Sequence, residues 1–113
     1  ITDWADAREV PIFEGRFDLN SFIDYLIEFI HTLGSHTHVI AVCQPAVPAL
    51  AATAIMADND DPMQPASLTL MGGPIDTRRN PTGVNELAQA KSIGWFENNV
   101  ISFVPPPHTG AMR

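Results

Sequence analysis

Cysteine is almost missing from this chain: Cys43 is the single example in 113 residues. A lone thiol excludes an internal disulfide framework and a multi-cysteine zinc site. Basic residues are also scarce, six Lys and Arg against 13 Asp and Glu, for a net charge of −7. An acidic surface repels phosphate, so neither a nucleic acid nor an anionic membrane patch is an expected partner. No apolar run reaches the roughly 18 residues that a membrane span needs. The start lacks the charged, apolar and small-residue sequence of a signal peptide, which fits a cytoplasmic protein. Hydrophobic residues are plentiful at 45%, with 17% charged. That balance excludes a disordered acidic tail and suits one small folded domain. The ten prolines fall near apparent element ends and read as punctuation.

Ile1–Trp4 reads as the tail of a strand, followed by a loop over 5–15. From Asp18 the pattern changes. Leu19, Phe22, Ile23, Leu26, Ile27, Ile30 and Leu33 recur at spacings of three and four, the apolar stripe of a helix buried on one face. Asp18 or Asn20 can cap its start and Gly34 its end. His38-Val39-Ile40-Ala41-Val42 is a continuous β-branched run, as expected of a parallel strand covered on both faces. Ala46–Ala57 predicts a second helix. Pro45 and Pro48 sit at its start, where an amide has no helical acceptor to lose. An acidic loop over 58–62 precedes a strand at Ser67–Met71, broken by Gly72-Gly73-Pro74. Asn80-Pro81 can open a third helix through about Lys91. Ser92–Phe103 is ambiguous, with a β-like Val100–Phe103. Pro105–Arg113 reads as an open loop, so an interior piece of a longer chain is expected. The alternation of strand and helix predicts an α/β layer with parallel strands and right-handed crossovers.

Cys43 is the most informative position. It lies where a buried strand ends and a helix begins, the edge at which open α/β sheets bind ligands. A nucleophile on such a turn is thrust out above the sheet. The helix N-terminus beside it favours negative charge, both on a thiolate and on a later oxyanion. The Gln44 N–H, one residue on, is the natural oxyanion donor. The competing reading is a small cysteine packed in the core. Ala41-Val42-Cys43-Gln44-Pro45 lines up with the G-x-S-x-G elbow, with cysteine for serine and both glycines replaced. Ala41 loses little clearance, and Pro45 removes an N–H that the oxyanion does not need.

Four stretches carry a wider likeness: Asp3-Trp4-Ala5-Asp6-Ala7-Arg8, Phe17-Asp18-Leu19-Asn20-Ser21-Phe22-Ile23-Asp24-Tyr25, Val42-Cys43-Gln44-Pro45 and Leu70-Met71-Gly72-Gly73-Pro74-Ile75-Asp76. With Trp95-Phe96-Glu97, they resemble the intracellular polyhydroxyalkanoate (polyhydroxybutyrate) depolymerases. The resemblance implies a partial α/β-hydrolase domain over 1–113, a fragment of a three-layer α/β/α fold. It implies ester hydrolysis of stored polyester, with Cys43 as nucleophile and the Gln44 N–H as half of the oxyanion hole. The implied partner is polyhydroxyalkanoate polymer or its granule. No cofactor or metal is implied. The family's triad aspartate and histidine would follow later strands, beyond Arg113, and its other oxyanion donor would precede Ile1. This piece alone would therefore lack a working triad. Asp3-Trp4 would end a strand close to the Cys43 rim. A polyester-synthase-like acyl transferase would use the same nucleophile geometry, and a non-catalytic truncated α/β domain would use none of it.

The other polar residues have plainer readings. His36 and His38 precede Cys43 by most of a strand, roughly 15–20 Å at the usual rise, too far for the ~3 Å contact of a base. His31 closes the first helix, where it meets the negative pole. His108 lies in the terminal loop with nothing to fix it. His31, His36 and His38 lack a third ligand at a defined spacing and read as solvated rather than metal-binding. Asp76 is a secondary acid candidate, but a turn role suits it better. Arg78-Arg79 reads as a solvated loop rather than a carboxylate clamp. Trp95 and Phe96 are polymer-groove candidates whose ordinary role is core. The Asp58–Asp61 run reads as a solvated loop.

Overall fold

The computed structural model describes residues 1–102 and 105–107. Phe103, His108 and 109–113, parts of the two C-terminal segments read above, lie outside the described residues. The chain divides into two compact units, one formed by Phe17–Thr77 and the other by Ile1–Arg16 with the residues from Arg78 onward.

The Phe17–Thr77 unit is built from two helices and two strands. Helix α1 spans Leu19–Leu33. Asp18 caps it by accepting the Ser21 N–H at 3.0 Å, which satisfies one of the orphan amides of the first turn. Gly34 ends it at φ 91, a left-handed angle that glycine adopts without steric cost. Strand β1 is His38–Val42 and strand β2 is Ser67–Met71. They pair in parallel, with His38 opposite Ser67 and Val42 opposite Met71. Helix α2, Ala46–Asp58, connects them. This β-α-β crossover, its strand bounds and its helix match the expected α/β pattern.

Alternation decides the packing. Val39, Ala41, Leu68 and Leu70 turn to one face and join Ala46 and Ala49 of α2 in a small core. Helix α1 packs in turn on α2, burying Ile23 and Ile30; each such side chain contributes about 1.5–3 kcal/mol. The small residues Ala46, Ala49 and Ala52 let the layers approach, and Met56 fills the far end, 1% exposed.

Several expectations are corrected. The sheet has two strands among the described residues. Ile1–Trp4 is irregular and exposed, because no described segment supplies the ladder that its backbone would need. β1 is not covered on both faces: Ile40 is 68% and Val42 57% exposed, since α1 and α2 both serve the other face. The described helices and parallel strands form an α/β unit, as expected of the fold class.

The Asp58–Asp61 run is not simply solvated. Asp58 ends α2, and half-buried Asp61 meets His31 Nε2 at 2.6 Å, tying the end of α1 to the loop after α2. Asp61 also accepts the Met63 N–H at 2.8 Å. His38 is likewise engaged, its Nδ1 standing 2.8 Å from Ser67 Oγ across the strand pair.

In the second unit a 3₁₀ turn occupies Ile12–Glu14 within the expected loop. Helix α3 is Gly83–Ala90, shorter than expected. Asn80 has φ 53 and so cannot start a helix. Thr82 takes over as cap, its N–H donating to Asn85 Oδ1 at 2.9 Å in a capping box. Helix α4, Ile93–Asn99, resolves the ambiguous stretch. Ser92 caps it by accepting the Trp95 N–H at 3.2 Å, and Val100–Ser102 is not a strand.

The hydrogen bond from His31, with that from Met63, holds the Asp61 carboxyl below its usual 3.8. A depressed carboxylate stabilises the fold above its unfolded pKa and loses that contribution as pH falls through the folded value. Asp61→Asn should therefore lower Tm near neutral pH, and the difference should vanish in strong acid. A difference in Tm that persists unchanged below about pH 2 would contradict this origin.

Candidate functional site

The site grows from the carboxyl edge of the two strands. Parallel pairing runs one bond past β1: the Cys43 N–H donates to the Met71 carbonyl at 2.8 Å. Cys43 then turns out of the sheet at φ 63, a left-handed angle that costs a side-chain-bearing residue about 1–2 kcal/mol. Its carbonyl accepts the Ala46 N–H at 3.0 Å, and that of Gln44 accepts the Val47 N–H at 3.1 Å. These bonds close a tight turn directly into α2. Pro45 is the N-cap at φ −55 and has no amide to leave unsatisfied.

The thiol of Cys43 is exposed. The alternative of a cysteine packed in the core is thereby removed. Gln44 is exposed too, and among the described residues no backbone carbonyl accepts its N–H. The first turn of α2 adds the positive pole of a helix to this edge.

The turn after β2 braces the elbow. Gly72 is left-handed at φ 64. At Gly73 an added Cβ would stand 2.2 Å from the Ala46 Cβ and 2.8 Å from the Cys43 carbonyl oxygen. Ala46 itself is fully buried. Two successive glycines here thus meet two needs, a left-handed turn and a backbone-to-backbone approach. As a local pattern Gly72-Gly73-Pro74 predicts a strand break, and this approach to Ala46 is additional to it. The doublet directly after a strand was the available signal.

Beside the elbow lies an open apolar cleft of about 390 Å³. Leu19 and Phe22 of α1 form one wall, and Val47 and Pro48 of α2 another. Gln44, Pro45 and Pro74 complete it. The helical spacing places Leu19 and Phe22 in the apolar stripe and does not by itself mark them as cleft residues. Both lie on the first turn of α1, which reaches the same sheet edge as the first turn of α2 because each helix runs antiparallel to the strands.

The histidines stand elsewhere. His31 is in the last turn of α1 and His38 is the first residue of β1, so both mark the edge opposite Cys43. His36 precedes β1 at that same edge. Among the described residues no three His, Cys, Asp or Glu side chains gather as a metal site would require. Asp76 is half-buried, five residues past β2. Trp95 and Phe96 belong to the other unit and pack on each other edge-on with centroids 5.2 Å apart. Lys91 Nζ sits 5.2 Å from the centre of the Trp95 ring, a cation–π contact. No described helix is long and apolar enough to cross a membrane.

Residues 72–113 match the protein family described as the PHB de-polymerase C-terminus. Over that stretch, somewhat more than a third of its length, the chain is similar to this family. The matched stretch begins at Gly72 and so includes the glycine doublet, while Cys43 and Gln44 precede it. Comparisons with curated proteins and with solved structures give no match.

Two substitutions test this geometry. Gly73→Ala should lower stability by about 1–3 kcal/mol through forced overpacking against Ala46, read as a shift in urea midpoint. Cys43→Gly should be more stable than Cys43→Ala by about 1 kcal/mol, because only the glycine relieves the left-handed angle. Equal midpoints for the two Cys43 variants would show that the turn carries no such strain.

Proposed function

We propose that the parent protein hydrolyses polyhydroxybutyrate, a stored polyester, with Cys43 as nucleophile at an α/β-hydrolase elbow. The observation that carries this reading is an exposed cysteine at φ 63 between a parallel strand and a helix. A strained residue between β-strand and helix is the geometry that lifts a nucleophile above a sheet. The similarity of residues 72–113 to the PHB de-polymerase C-terminus supports this substrate class and a hydrolase as parent.

The chemistry proceeds in two stages. The Cys43 thiolate adds to an ester carbonyl, and the Gln44 N–H holds the resulting oxyanion. Collapse breaks the carbon–oxygen bond. The freed alkoxide end takes up a proton and leaves, with the acyl group held on Cys43 as a thioester. Water then adds to that thioester, the carbon–sulfur bond breaks, and a carboxylic acid leaves as the thiol is restored. His31, His36 and His38 are not the proton acceptor of this cycle, since they occupy the other end of the strands. An acyl transferase would share the first stage and pass the acyl group to a hydroxyl instead of water.

Chloroacetone tests the assignment. It presents a carbonyl and a displaceable chloride, and the thiolate forms a carbon–sulfur bond as chloride departs. Native Cys43 should react several-fold faster than Cys43 in the urea-denatured chain, with the adduct located by peptide mass. Equal native and denatured rates would mean that the turn does not activate the thiol, and the hydrolase reading would fall.

A further inference from the structure

We infer that the apolar cleft beside the elbow is the acyl subsite, holding the short aliphatic chain attached to the reacting carbonyl, and that Phe22 and Val47 set its length. This rests on the reading of Cys43 as nucleophile. Three observations lead to it.

The cleft adjoins the reacting group. Gln44, whose N–H would hold the oxyanion, is also one of its lining residues. The residue that directly follows Cys43 thus stands on the wall of the cleft, which puts the cleft next to the reacting group. Size fits as well: about 390 Å³ lies near the lower end of the roughly 300–1,000 Å³ of small-molecule pockets.

The lining decides which side of the ester enters. Leu19, Phe22, Val47, Pro48 and Pro74 are apolar, and no lining residue titrates. A departing alkoxide needs a proton, and the water that replaces it needs a base. No side chain of these walls can supply either. The methyl and methylene groups of the acyl unit need only apolar contact, and that unit stays bound through both stages.

The walls are also held in place. Pro48 is buried and Val47 half-buried on the first turn of α2, which is anchored by fully buried Ala46. Phe22 lies on the capped first turn of α1, with the Phe17 ring centroid 6.1 Å from its own. Rigid walls can discriminate chain length, whereas mobile ones adapt.

The test is a series of 1-chloro-2-alkanones with methyl, propyl, butyl and octyl tails, which alkylate Cys43 as chloroacetone does. Each methylene that becomes fully buried is worth about fourfold in rate. In an open cleft the butyl compound should react about tenfold faster than chloroacetone, with no further gain at octyl. That preference should be missing from the denatured chain. Val47→Trp should bring the butyl-to-methyl ratio near one, and Phe22→Ala should move the preferred tail to a longer chain. The ratio within each variant cancels any change in the thiol itself. If native Cys43 outpaces the denatured control with every tail equally, the acyl subsite is wrong and the nucleophile stands. If it outpaces the control with none, the nucleophile itself is wrong. A wild-type preference that neither substitution alters would place the chain outside this cleft.

Discussion

Parallel pairing brings two left-handed residues side by side. Val42 stands opposite Met71, so Cys43 and Gly72 leave the sheet together, at φ 63 and φ 64. The bond from the Cys43 N–H to the Met71 carbonyl joins them. Glycine takes that angle freely, whereas cysteine does so at a cost of about 1–2 kcal/mol. The surroundings must over-determine the turn to keep it. They do so from both sides. Ala46 closes onto the Cys43 carbonyl from within α2, and Gly73 comes so near that a Cβ would collide with Ala46 at 2.2 Å. The elbow is therefore clamped between the helix it opens and the strand exit beside it. Any outward presentation of Cys43 depends on this clamp.

Much of this was legible in the residues themselves. The three-and-four spacing from Leu19, the Asp18 cap and Gly34 define α1, because local hydrogen bonding and one-sided burial act there together. Ser67–Met71 was recognisable as a strand candidate from its apolar residues ahead of the Gly72-Gly73-Pro74 break. Cys43 could be placed at the strand-to-helix turn because the β-branched run ends at Val42 and the alanine-rich segment after it tolerates Pro45 and Pro48 at a helix start. Other features depend on contacts distant in sequence, and no local pattern reports them. His31 and Asp61 lie 30 residues apart, and each taken alone reads as a solvated group. The approach of Gly73 to Ala46 requires knowing that β2 exits beside β1. Ile1–Trp4 has strand-like composition, yet composition provides no partner for its backbone.

The outer face of the sheet shows the same distinction. Ile40, Val42 and Met71 are 68%, 57% and 52% exposed there. Their side chains carry the double-sided apolar signature of a covered parallel strand, but both helices of this unit lie on the other face. Pattern therefore reports the environment a strand is suited to, while the structure reports which of its faces this unit covers. An apolar sheet face of this kind favours burial over exposure.

The family match and the elbow meet at one point in space. The match starts at Gly72, twenty-nine residues after Cys43 in sequence, so on a linear view the nucleophile candidate is simply outside it. In three dimensions the first two matched residues are the ones that brace the elbow: Gly72 leaves the sheet beside Cys43, and Gly73 touches Ala46 and the Cys43 carbonyl. Pro74, next in line, lines the apolar cleft. A larger residue at Gly73 would push on the first turn of α2, and hence on Gln44 and the carbonyl that anchors the turn. The matched segment thus constrains the unmatched one through backbone contact. Because that constraint acts on the elbow's main chain rather than on the thiol, it would bear on how any nucleophile at position 43 is presented, and the side chain there would decide only which chemistry follows.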